Sequence, residues 1–167
     1  MIELAEVGDI YIKTPLLDNP TDFRDGVTFF YSDEPPAAGV LEESIARFNK
    51  EVVWHNMWTV EDAMERFAKK HVFSYITDSE GVLGYMWHEK NYTYNFFVCK
   101  RRWNRDILDF VNMNRYLQKQ KGYTHEYLYV TGTNLHVMNL FLRKFDSEVI
   151  PEEQAIKIIN EALGRTI

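Results

Sequence analysis

The sequence predicts a mixed α/β (α+β) fold in which a mostly antiparallel sheet contains one central parallel strand pair and carries helices on both faces. Two observations lead to this fold class. Strand-like and helical segments follow one another in the order β, α, α, β, β, β, α, β, α, β, α. Three strands in succession, joined by short turns, predict an antiparallel meander, and the helix after them allows a crossover to a parallel strand.

The chain is long enough for one domain with its own core. Its 167 residues are 46% hydrophobic and 26% charged, as in an ordinary globular protein. An N-terminal arm is predicted over residues 1–25, because Pro15, Asp18 and their polar neighbours break any regular period, and we expect it to lie on the surface. Residues 26–150 are predicted to form the domain, and residues 151–167 a C-terminal helix packed on it.

The first half of the domain is predicted to contain one strand and two helices. Residues 26–32 are rich in β-branched and aromatic side chains, which favour a strand. Residues 40–52 and 59–71 carry apolar side chains at helical spacing. Thr59 and Asp62 have the spacing of a capping box, which predicts where the second helix begins. The apolar positions expected on the inner face of that helix are Val60, Met64 and Phe67.

The second half of the chain is predicted to contain the meander and two further strand and helix units. Residues 72–98 comprise three strand-like runs separated by the turn sequences DSEG and HEKN. A helix over 104–120 precedes a strand over 124–134 whose apolar density suggests burial on both faces. A short helix and a strand at 147–150 come next, and a closing helix begins at Pro151. Its apolar positions at helical spacing are Ile156, Ile159 and Leu163.

Composition disfavours several classes of function. A net charge of −6 and a pI near 5.4 argue against bulk binding of nucleic acid or of an anionic membrane, because both need a positive surface. Cys99 is the only cysteine, so no intramolecular disulfide can form, which fits a reducing cytoplasm. No signal peptide and no membrane span are predicted. The histidines lack ligand spacing, and we predict no metal site.

Two segments carry a resemblance to a known family. FFVCKRRWNRDILDFVNMNRYL, residues 96–117, is similar to the fourth strand, pyrophosphate-binding turn and third helix of the GCN5-related N-acetyltransferase (GNAT) superfamily. EYLYVTGTNLHVMNLFLRKF, residues 126–145, resembles its fifth strand, Asn-led turn and fourth helix. The resemblance implies that the parallel strands splay into a V that holds acetyl-CoA or another acyl-CoA. It implies a cytoplasmic N-acyltransferase acting on an amine acceptor, either a small molecule or a protein, as a monomer or homodimer.

The turn after the fourth strand departs from the family pattern R/Q-x-x-G-x-G/A, because it contains no glycine. Asp106 places a carboxylate at the helix N-terminus, where it would satisfy the free amides and compete with a phosphate. Basic residues nearby supply positive charge for a phosphate, although a solvated surface turn explains them equally well. The resemblance implies that the residues contacting acyl-CoA are Phe97, Val98, Cys99, Arg101, Arg102, Asn104, Arg105, Asp106, Ile107, Asn134 and Phe141.

The expected catalytic residues follow from the chemistry of amine acylation. Many family members use a tyrosine seven positions after the turn asparagine to protonate the departing thiolate, and Phe141 stands there in this chain. Tyr127 or Tyr129 on the preceding strand could replace it, unless both belong to the core. His88 and Glu89 are the candidates for the base that removes the ammonium proton, unless they lie in a solvated turn.

A second interpretation is a catalytically inactive GNAT-fold protein that serves in binding or assembly. The Asn-led segment is also similar to that of a small GNAT-like virion assembly protein of T7-type phages, which lacks the tyrosine as well. A phage origin is therefore an alternative expectation. An enzyme should keep the splay open, whereas an assembly protein should fill it with Trp103 or Phe141.

Overall fold

The computed structural model of the protein describes residues 10–51, 59–98, 105–130 and 135–164. The strands are β1 (Ile10–Pro15), β2 (Thr28–Ser32), β3 (Val72–Asp78), β4 (Gly81–Glu89), β5 (Tyr92–Val98), β6 (His125–Val130) and β7 (Glu148–Ile150). The helices are α1 (Ala38–Glu51), α2 (Val60–Ala68), α3 (Arg105–Gln120), α4 (Leu135–Lys144) and α5 (Glu152–Leu163). From β2 onward, this is the element order that the sequence predicts.

All seven strands form one sheet in the order β2-β3-β4-β5-β6-β1-β7. The pairs β2·β3, β3·β4, β4·β5, β1·β6 and β1·β7 are antiparallel, and β5·β6 is parallel. The parallel pair is possible because α3 carries the chain across the sheet between its two strands. The predicted fold class, a mostly antiparallel sheet with one central parallel pair, is confirmed.

Strand β1 corrects one expectation drawn from the sequence. Residues 10–15 do not lie as an arm on the surface, because they form an internal strand that pairs with both β6 and β7. Ile10, Ile12 and Thr14 alternate inward and are buried, as the period of a strand requires. Pro15 does not interrupt this strand, since it is the last residue, where a missing N–H matters least.

The helices divide between the two faces of the sheet. One core lies against α3 and α4 and includes Ile12, Leu128 and Phe110. Another lies against α1 and α2 and includes Trp87. Helix α5 packs over Tyr127, and neighbouring residues of a strand point to opposite faces, so α5 shares the face of α1 and α2. The side chains that α5 buries are Ala155, Ile159 and Leu163.

The helix faces differ in detail from the apolar stripes of the sequence. In α2, Val60 and Met64 are exposed, while Ala63 and Phe67 are buried. In α5 the small Ala155 faces inward and Ile156 outward. In both helices a fully buried alanine stands beside larger apolar residues that are exposed. No helix of the described part of the chain is long and apolar enough to cross a membrane.

The start of α2 is the one that the sequence predicts. Thr59 Oγ1 accepts a hydrogen bond from the Asp62 amide at 3.1 Å, and Asp62 Oδ2 accepts one from the Thr59 amide at 3.1 Å. These two bonds form a complete capping box and satisfy two backbone donors that a helix start leaves open. The capping box fixes the position of α2, whose polar face borders the candidate site.

Candidate functional site

The parallel strands β5 and β6 form a fork. They pair at Tyr92 with Tyr127 and at Thr93 with Leu128, and the parallel pairs in the described residues end there. Both strands nevertheless continue, β5 to Val98 and β6 beyond Leu128. The strands therefore diverge toward their carboxyl ends, and the crossover through α3 joins the carboxyl end of β5 to the start of β6 in the chain.

A β-bulge lies at the base of this fork. His88 of β4 is opposite Thr93, whereas the preceding residue Trp87 is opposite Asn95, so Tyr94 is the extra residue on β5. A bulge bends its strand, increases the local twist and redirects side chains. Within the described residues, Oδ1 of Asn95 is buried and has no hydrogen-bond partner. The bulge thus coincides with both the end of strand pairing and an unsatisfied polar atom.

Gly84 permits the close packing of the β5 arm of the fork. A Cβ atom at this position would lie 2.9 Å from the carbonyl oxygen of Phe97 and 3.3 Å from Cδ1 of Ile107. The first distance is shorter than real Cβ contacts, so only glycine fits without displacement of β5. Ile107 is buried beneath the fork, and Phe97 and Val98 are partly buried against the cores on opposite faces.

The first turn of α3 is occupied by an ion pair. Arg24, in the loop between β1 and β2, donates to Asp106 from Nε at 2.9 and 3.1 Å and from Nη2 at 2.9 Å. Asp106 is buried. The hydrogen bonds that Arg24 donates to the Asp106 carboxylate raise the pKa of Arg24. The sequence predicts Asp106 at this helix start but gives no signal for its partner. Arg105 extends outward and contacts Asp109 at 3.1 Å.

Several residues expected to contact acyl-CoA lie outside the described residues, and nothing is stated of their structure. These residues are Cys99, Arg101, Arg102, Asn104 and Asn134, together with Trp103. The described members of the same set are Phe97 and Val98 in β5, Arg105, Asp106 and Ile107 at the start of α3, and Phe141 in α4.

Phe141 belongs to the core beneath the fork. It is 1% exposed, and its ring centroid lies 6.0 Å from that of Phe96 on β5 and 4.9 Å from that of Phe145. Both contacts are edge-to-face, an arrangement that aromatic pairs favour. The ring at the expected tyrosine position therefore packs against one arm of the fork and is not directed to solvent.

His88 is also part of the core, on the side of the sheet that faces α3. Asn114 Nδ2 donates to the Phe110 carbonyl, so Asn114 Oδ1 is left to accept from His88 Nε2 at 2.9 Å. His88 Nδ1 then accepts from the Thr93 hydroxyl at 2.7 Å. Burial lowers the pKa of His88 to about 4. A neutral imidazole with both nitrogens engaged positions Thr93, the last paired residue of the fork.

Glu89, next to His88 in β4, lies on the opposite side of the sheet. It lines a cavity of about 420 Å³ between α2 and the start of β5. His71 joins it to the bulge, because His71 Nε2 lies 3.8 Å from Glu89 Oε1 and His71 Nδ1 lies 2.8 Å from the Tyr94 hydroxyl. Burial raises the pKa of Tyr94. We call this cavity the α2 pocket; the residues lining it are Asp62, Glu65, Arg66, Lys69, His71, Glu89, Tyr92 and Tyr94.

Tyr129 occupies the other arm of the fork. It follows Leu128, the last paired residue of β6, and is partly buried with its ring 5.6 Å from that of Tyr11. Because strand residues alternate, Tyr129 shares the sheet face of Tyr127 and α5. Tyr129 and Glu89 thus lie on one face of the sheet, and His88 on the other.

Sequence reasoning missed His71 and Tyr94 as members of this site. A single histidine after a helix gives no local signal, and its neighbours Glu89 and Tyr94 come from later strands. The bulge at Tyr94 results from strand register, which no short motif encodes. The described residues contain no group of three or more His, Cys, Asp or Glu side chains that could hold a metal ion.

Solved structures share this fold at low sequence identity. A tandem GNAT protein from the clavulanic acid biosynthesis pathway is 12% identical, with a TM-score of 0.52 over 84% of this chain and 49% of that one. A GCN5-related N-acetyltransferase from Sphaerobacter thermophilus is 16% identical, with a TM-score of 0.53 over 85% and 48%. A conserved protein of unknown function from Staphylococcus epidermidis is 10% identical, with a TM-score of 0.56 over 86% and 58%.

The chain spans about half the length of these solved structures. No protein-family model matches the sequence, and no curated protein matches it. The likeness is therefore one of architecture, and it agrees with the parallel pair, the crossover helix α3 and the helices on both faces. The chain has a divergent form of the GCN5-related N-acetyltransferase fold.

Proposed function

We propose that the protein is an N-acyltransferase that transfers an acetyl or other acyl group from acyl-CoA to an amine. The observation that carries the proposal is the fork of β5 and β6 with a bulge at Tyr94, beside a pocket that contains Glu89. The two solved structures named as GNAT proteins support it at the level of the fold. The cytoplasm remains the expected location.

The residues at the fork fit an extended ligand with amide groups. Beyond the part of β5 that pairs with β6, the buried Oδ1 of Asn95 can accept a hydrogen bond from a ligand N–H. Backbone N–H groups from Phe97 to Cys99 are proposed to polarise the thioester carbonyl. The phosphates are proposed to bind the side chains of Arg101, Arg102 and Arg105 and the backbone N–H groups from Asn104 to Ile107, at the start of α3. Acyl-CoA supplies an activated thioester carbonyl.

Glu89 and Tyr129 are proposed to move the protons of the reaction. Glu89 accepts a proton from the ammonium group through a water molecule, which gives the amine a free electron pair. The amine nitrogen then forms the new bond to the acyl carbon, and the bond from that carbon to sulfur breaks. Tyr129 donates a proton to the leaving thiolate, and the second proton that the acylated nitrogen loses returns through water to Tyr129, so that the amide and the thiol are both neutral. His88 is buried on the other face, so its role is to position Thr93 rather than to meet the amine.

The first test is isothermal titration with acetyl-CoA. We expect micromolar affinity, weakened at least about tenfold in an Arg102→Ala, Arg105→Ala variant, because each lost phosphate contact is a charge-assisted hydrogen bond. A Lys144→Ala, Lys157→Ala variant is the matched control, since both lysines are exposed on other helices and should leave affinity unchanged. Absence of binding at millimolar acetyl-CoA would contradict the proposal.

The second test concerns the base. Glu89→Gln should leave the affinity for acetyl-CoA unchanged and lower the rate of acyl transfer by about 100-fold, a typical contribution of general-base catalysis. Glu152→Gln, at an exposed carboxylate in the first turn of α5, controls for the loss of one negative charge. Equal rates in the two variants would assign the base to another residue.

The Arg24 and Asp106 pair favours a second candidate function, a GNAT-fold protein without enzymatic activity that serves in binding or assembly. This pair occupies the first turn of α3, and Phe141 offers no acidic proton. The variant Asp106→Asn separates the two candidates. In an acyltransferase it should tighten acetyl-CoA binding severalfold, because it removes a carboxylate from an anion site. In an assembly protein neither form should bind acetyl-CoA.

The phage origin draws no support from the comparisons and stays a prediction.

A further inference from the structure

We infer that Asn114 of α3 is a positioning residue for the proposed reaction, because it acts through His88 and Thr93 to fix the bulge that shapes the fork. The inference rests on the proposed acyltransferase for its effect on the rate. Two observations carry it. A chain of hydrogen bonds runs from α3 to the base of the fork, and a second side chain attaches α3 to the turn between β4 and β5.

The direction of each hydrogen bond in the chain is determined from the α3 end. The Phe110 carbonyl can only accept, so the atom of Asn114 that faces it at 2.9 Å is Nδ2. Asn114 Oδ1 then faces His88 Nε2 at 2.9 Å, and this nitrogen must carry the proton. The other nitrogen of a neutral imidazole accepts, so His88 Nδ1 takes the hydroxyl proton of Thr93 at 2.7 Å. Asn114 therefore selects the tautomer of His88.

The chain is buried, so water is not at hand to replace a missing link. Asn114 and His88 are fully buried, and Thr93 is 1% exposed. Burial lowers the pKa of His88 to about 4, so the imidazole is neutral at pH 7, as the chain requires. The loss of one link would leave a buried polar atom without a partner, and a shift of the strand would relieve that cost.

Thr93 lies where the register of β5 changes. It is opposite His88 in β4, and it is the last residue of β5 that pairs with β6. Trp87 is opposite Asn95, which leaves Tyr94 as the extra residue. A bulge moves along a strand when a different residue becomes the extra one. The hydrogen bond from the Thr93 side chain to the residue opposite holds the register on one side of the bulge, so that Tyr94 remains the extra residue.

The position of the bulge decides where the proposed reacting groups lie. The Tyr94 hydroxyl contacts His71, which lies 3.8 Å from the proposed base Glu89. The backbone N–H groups from Phe97 to Cys99, proposed to polarise the thioester carbonyl, follow the bulge in the chain. A shift of the register by one residue would turn side chains to the other face of the sheet. The chain that begins at Asn114 therefore aligns both sets of groups.

Gln118, four residues after Asn114 in α3, holds the same hairpin at its turn. Its Nε2 donates to the Lys90 carbonyl at 2.8 Å, and its Oε1 accepts from the Tyr31 hydroxyl at 3.0 Å. Lys90 has a φ of 52°, which is uncommon for a residue other than glycine. Two side chains of α3 thus fix the β4–β5 hairpin, one at the turn and one beside the bulge. The helix proposed to bind the phosphates and the strand proposed to hold the thioester are joined as one body.

The first test is the tautomer of His88, which NMR of the imidazole nitrogens determines without any ligand. We expect the wild-type protein to carry the ring proton on Nε2. Asn114→Leu keeps about the same shape and removes both amide groups, so the proton should move to Nδ1 and be donated to the Thr93 hydroxyl. A proton on Nδ1 in the wild-type protein, or an unchanged tautomer in Asn114→Leu, would overturn the inference. If Asn114→Leu does not fold, the wild-type tautomer and the Thr93 variants decide.

The second test asks whether the chain holds the bulge. Thr93→Val removes only the hydroxyl, and Thr14→Val is the matched control, because Thr14 is equally buried and its hydroxyl oxygen lies 2.8 Å from that of Ser147. Amide hydrogen exchange in the part of β5 after Thr93 should be at least about tenfold faster in Thr93→Val and less than about twofold faster in Thr14→Val. Thr93→Ser, which keeps the hydroxyl, should restore slow exchange. Equal exchange in the two valine variants would contradict the inference.

Rates of acyl transfer separate this inference from the proposed function. Thr93→Val should lower kcat at least about tenfold and leave KM for acetyl-CoA within about twofold, because the misaligned groups act on the thioester and not on the phosphates. Thr14→Val should leave both constants unchanged. Unchanged kcat in Thr93→Val would overturn the positioning role in an active enzyme. If the wild-type protein neither binds acetyl-CoA nor transfers an acyl group, the proposed function fails, and NMR and hydrogen exchange still decide whether Asn114 fixes the bulge.

Discussion

Phe141 stands where the resemblance implies a tyrosine, and its surroundings decide what a hydroxyl there would meet. The ring is 1% exposed and packs edge-to-face on Phe96 and Phe145. A buried hydroxyl without a hydrogen-bond partner is unfavourable, so we expect Phe141→Tyr to lower the free energy of unfolding by about 1–3 kcal/mol. The rate of acyl transfer should not rise. Urea unfolding and an acyl-transfer assay measure both quantities.

The matched control for this substitution is Phe30→Tyr. Phe30 is partly buried and stacks on Tyr75 at 4.8 Å, so a hydroxyl there has more access to solvent and should change stability by less than about 0.5 kcal/mol. A Phe141→Tyr variant that is as stable as wild type and transfers acyl groups faster would show that this ring borders the fork and that the lost proton donor can be restored.

Two adjacent residues show how far sequence reasoning reaches at this scale. His88 and Glu89 are both expected as candidates for the base, yet neighbouring residues of a strand point to opposite faces. Only one of them can therefore meet a given ligand. The local sequence predicts the strand but not the face that holds the ligand, because that face depends on the placement of α2 and α3. The structure places Glu89 with α2 and His88 with α3.

At the scale of secondary structure elements, the contact between β4 and β5 depends on Gly84. A Cβ there would lie 2.9 Å from the Phe97 carbonyl, which is backbone and cannot rotate away. We expect Gly84→Ala to lower the free energy of unfolding by about 1–3 kcal/mol, as in other overpacked sites. Displacement of the β5 arm should also lower the affinity for any ligand that binds at the fork. Urea unfolding monitored by tryptophan fluorescence checks the first effect.

Gly39→Ala is the control for Gly84→Ala. Gly39 lies in α1, and a Cβ there would meet nothing within 4 Å. Because alanine favours helix more than glycine does, this variant should be unchanged or more stable by up to about 1 kcal/mol. A Gly84→Ala variant that behaves like Gly39→Ala would mean that β5 moves freely relative to β4, which contradicts a rigid bulge at Tyr94.

The order of elements from β2 onward is predictable because each element carries a local signal. The capping box at Thr59 and the turns around the meander are examples. Strand β1 shows where such signals end, since its partners β6 and β7 lie more than a hundred residues away in sequence. Alternation of Ile10, Ile12 and Thr14 is the one local indication of this strand. The α2 pocket was beyond prediction for the same reason, since three elements supply its walls.

At the scale of the whole molecule, α3 is joined to the sheet by a buried polar layer. Asn114 bonds His88, and Gln118 Nε2 donates to the Lys90 carbonyl at 2.8 Å. Arg115 donates to the carbonyls of Pro15 and Phe145, which joins α3 to the end of β1 and to the residue that follows α4. Glu126 of β6 is buried in the same layer. The layer therefore joins α3 to β1, β4 and β6, and its titratable groups make stability depend on pH.

His88 and Glu126 act on stability in opposite directions. Burial lowers the pKa of His88 to about 4, whereas the pKa of an unfolded histidine is about 6.5. The contribution of His88 to stability is therefore complete above about pH 6.5 and is lost as pH falls from 6.5 through 4. Burial raises the pKa of Glu126 to about 7, against the attraction of Arg115. The contribution of Glu126 is therefore present below about pH 4.5 and is lost as pH rises through 7.

These directions predict opposite slopes for two variants compared with wild type. The stability of His88→Gln relative to wild type should rise as pH falls from about 6.5 to 4, by roughly 2–3 kcal/mol over the whole range, because the imidazole no longer has to be charged in the core. The relative stability of Glu126→Gln should rise by a similar amount as pH increases from about 4.5 to 7. Gln154→Ala, at an exposed position of α5 and without a titratable group, should give a flat difference. Urea unfolding across this range measures all three differences. A flat difference for His88→Gln or Glu126→Gln would mean that water reaches the layer between α3 and the sheet, because solvation would return the pKa of the buried group to its ordinary value.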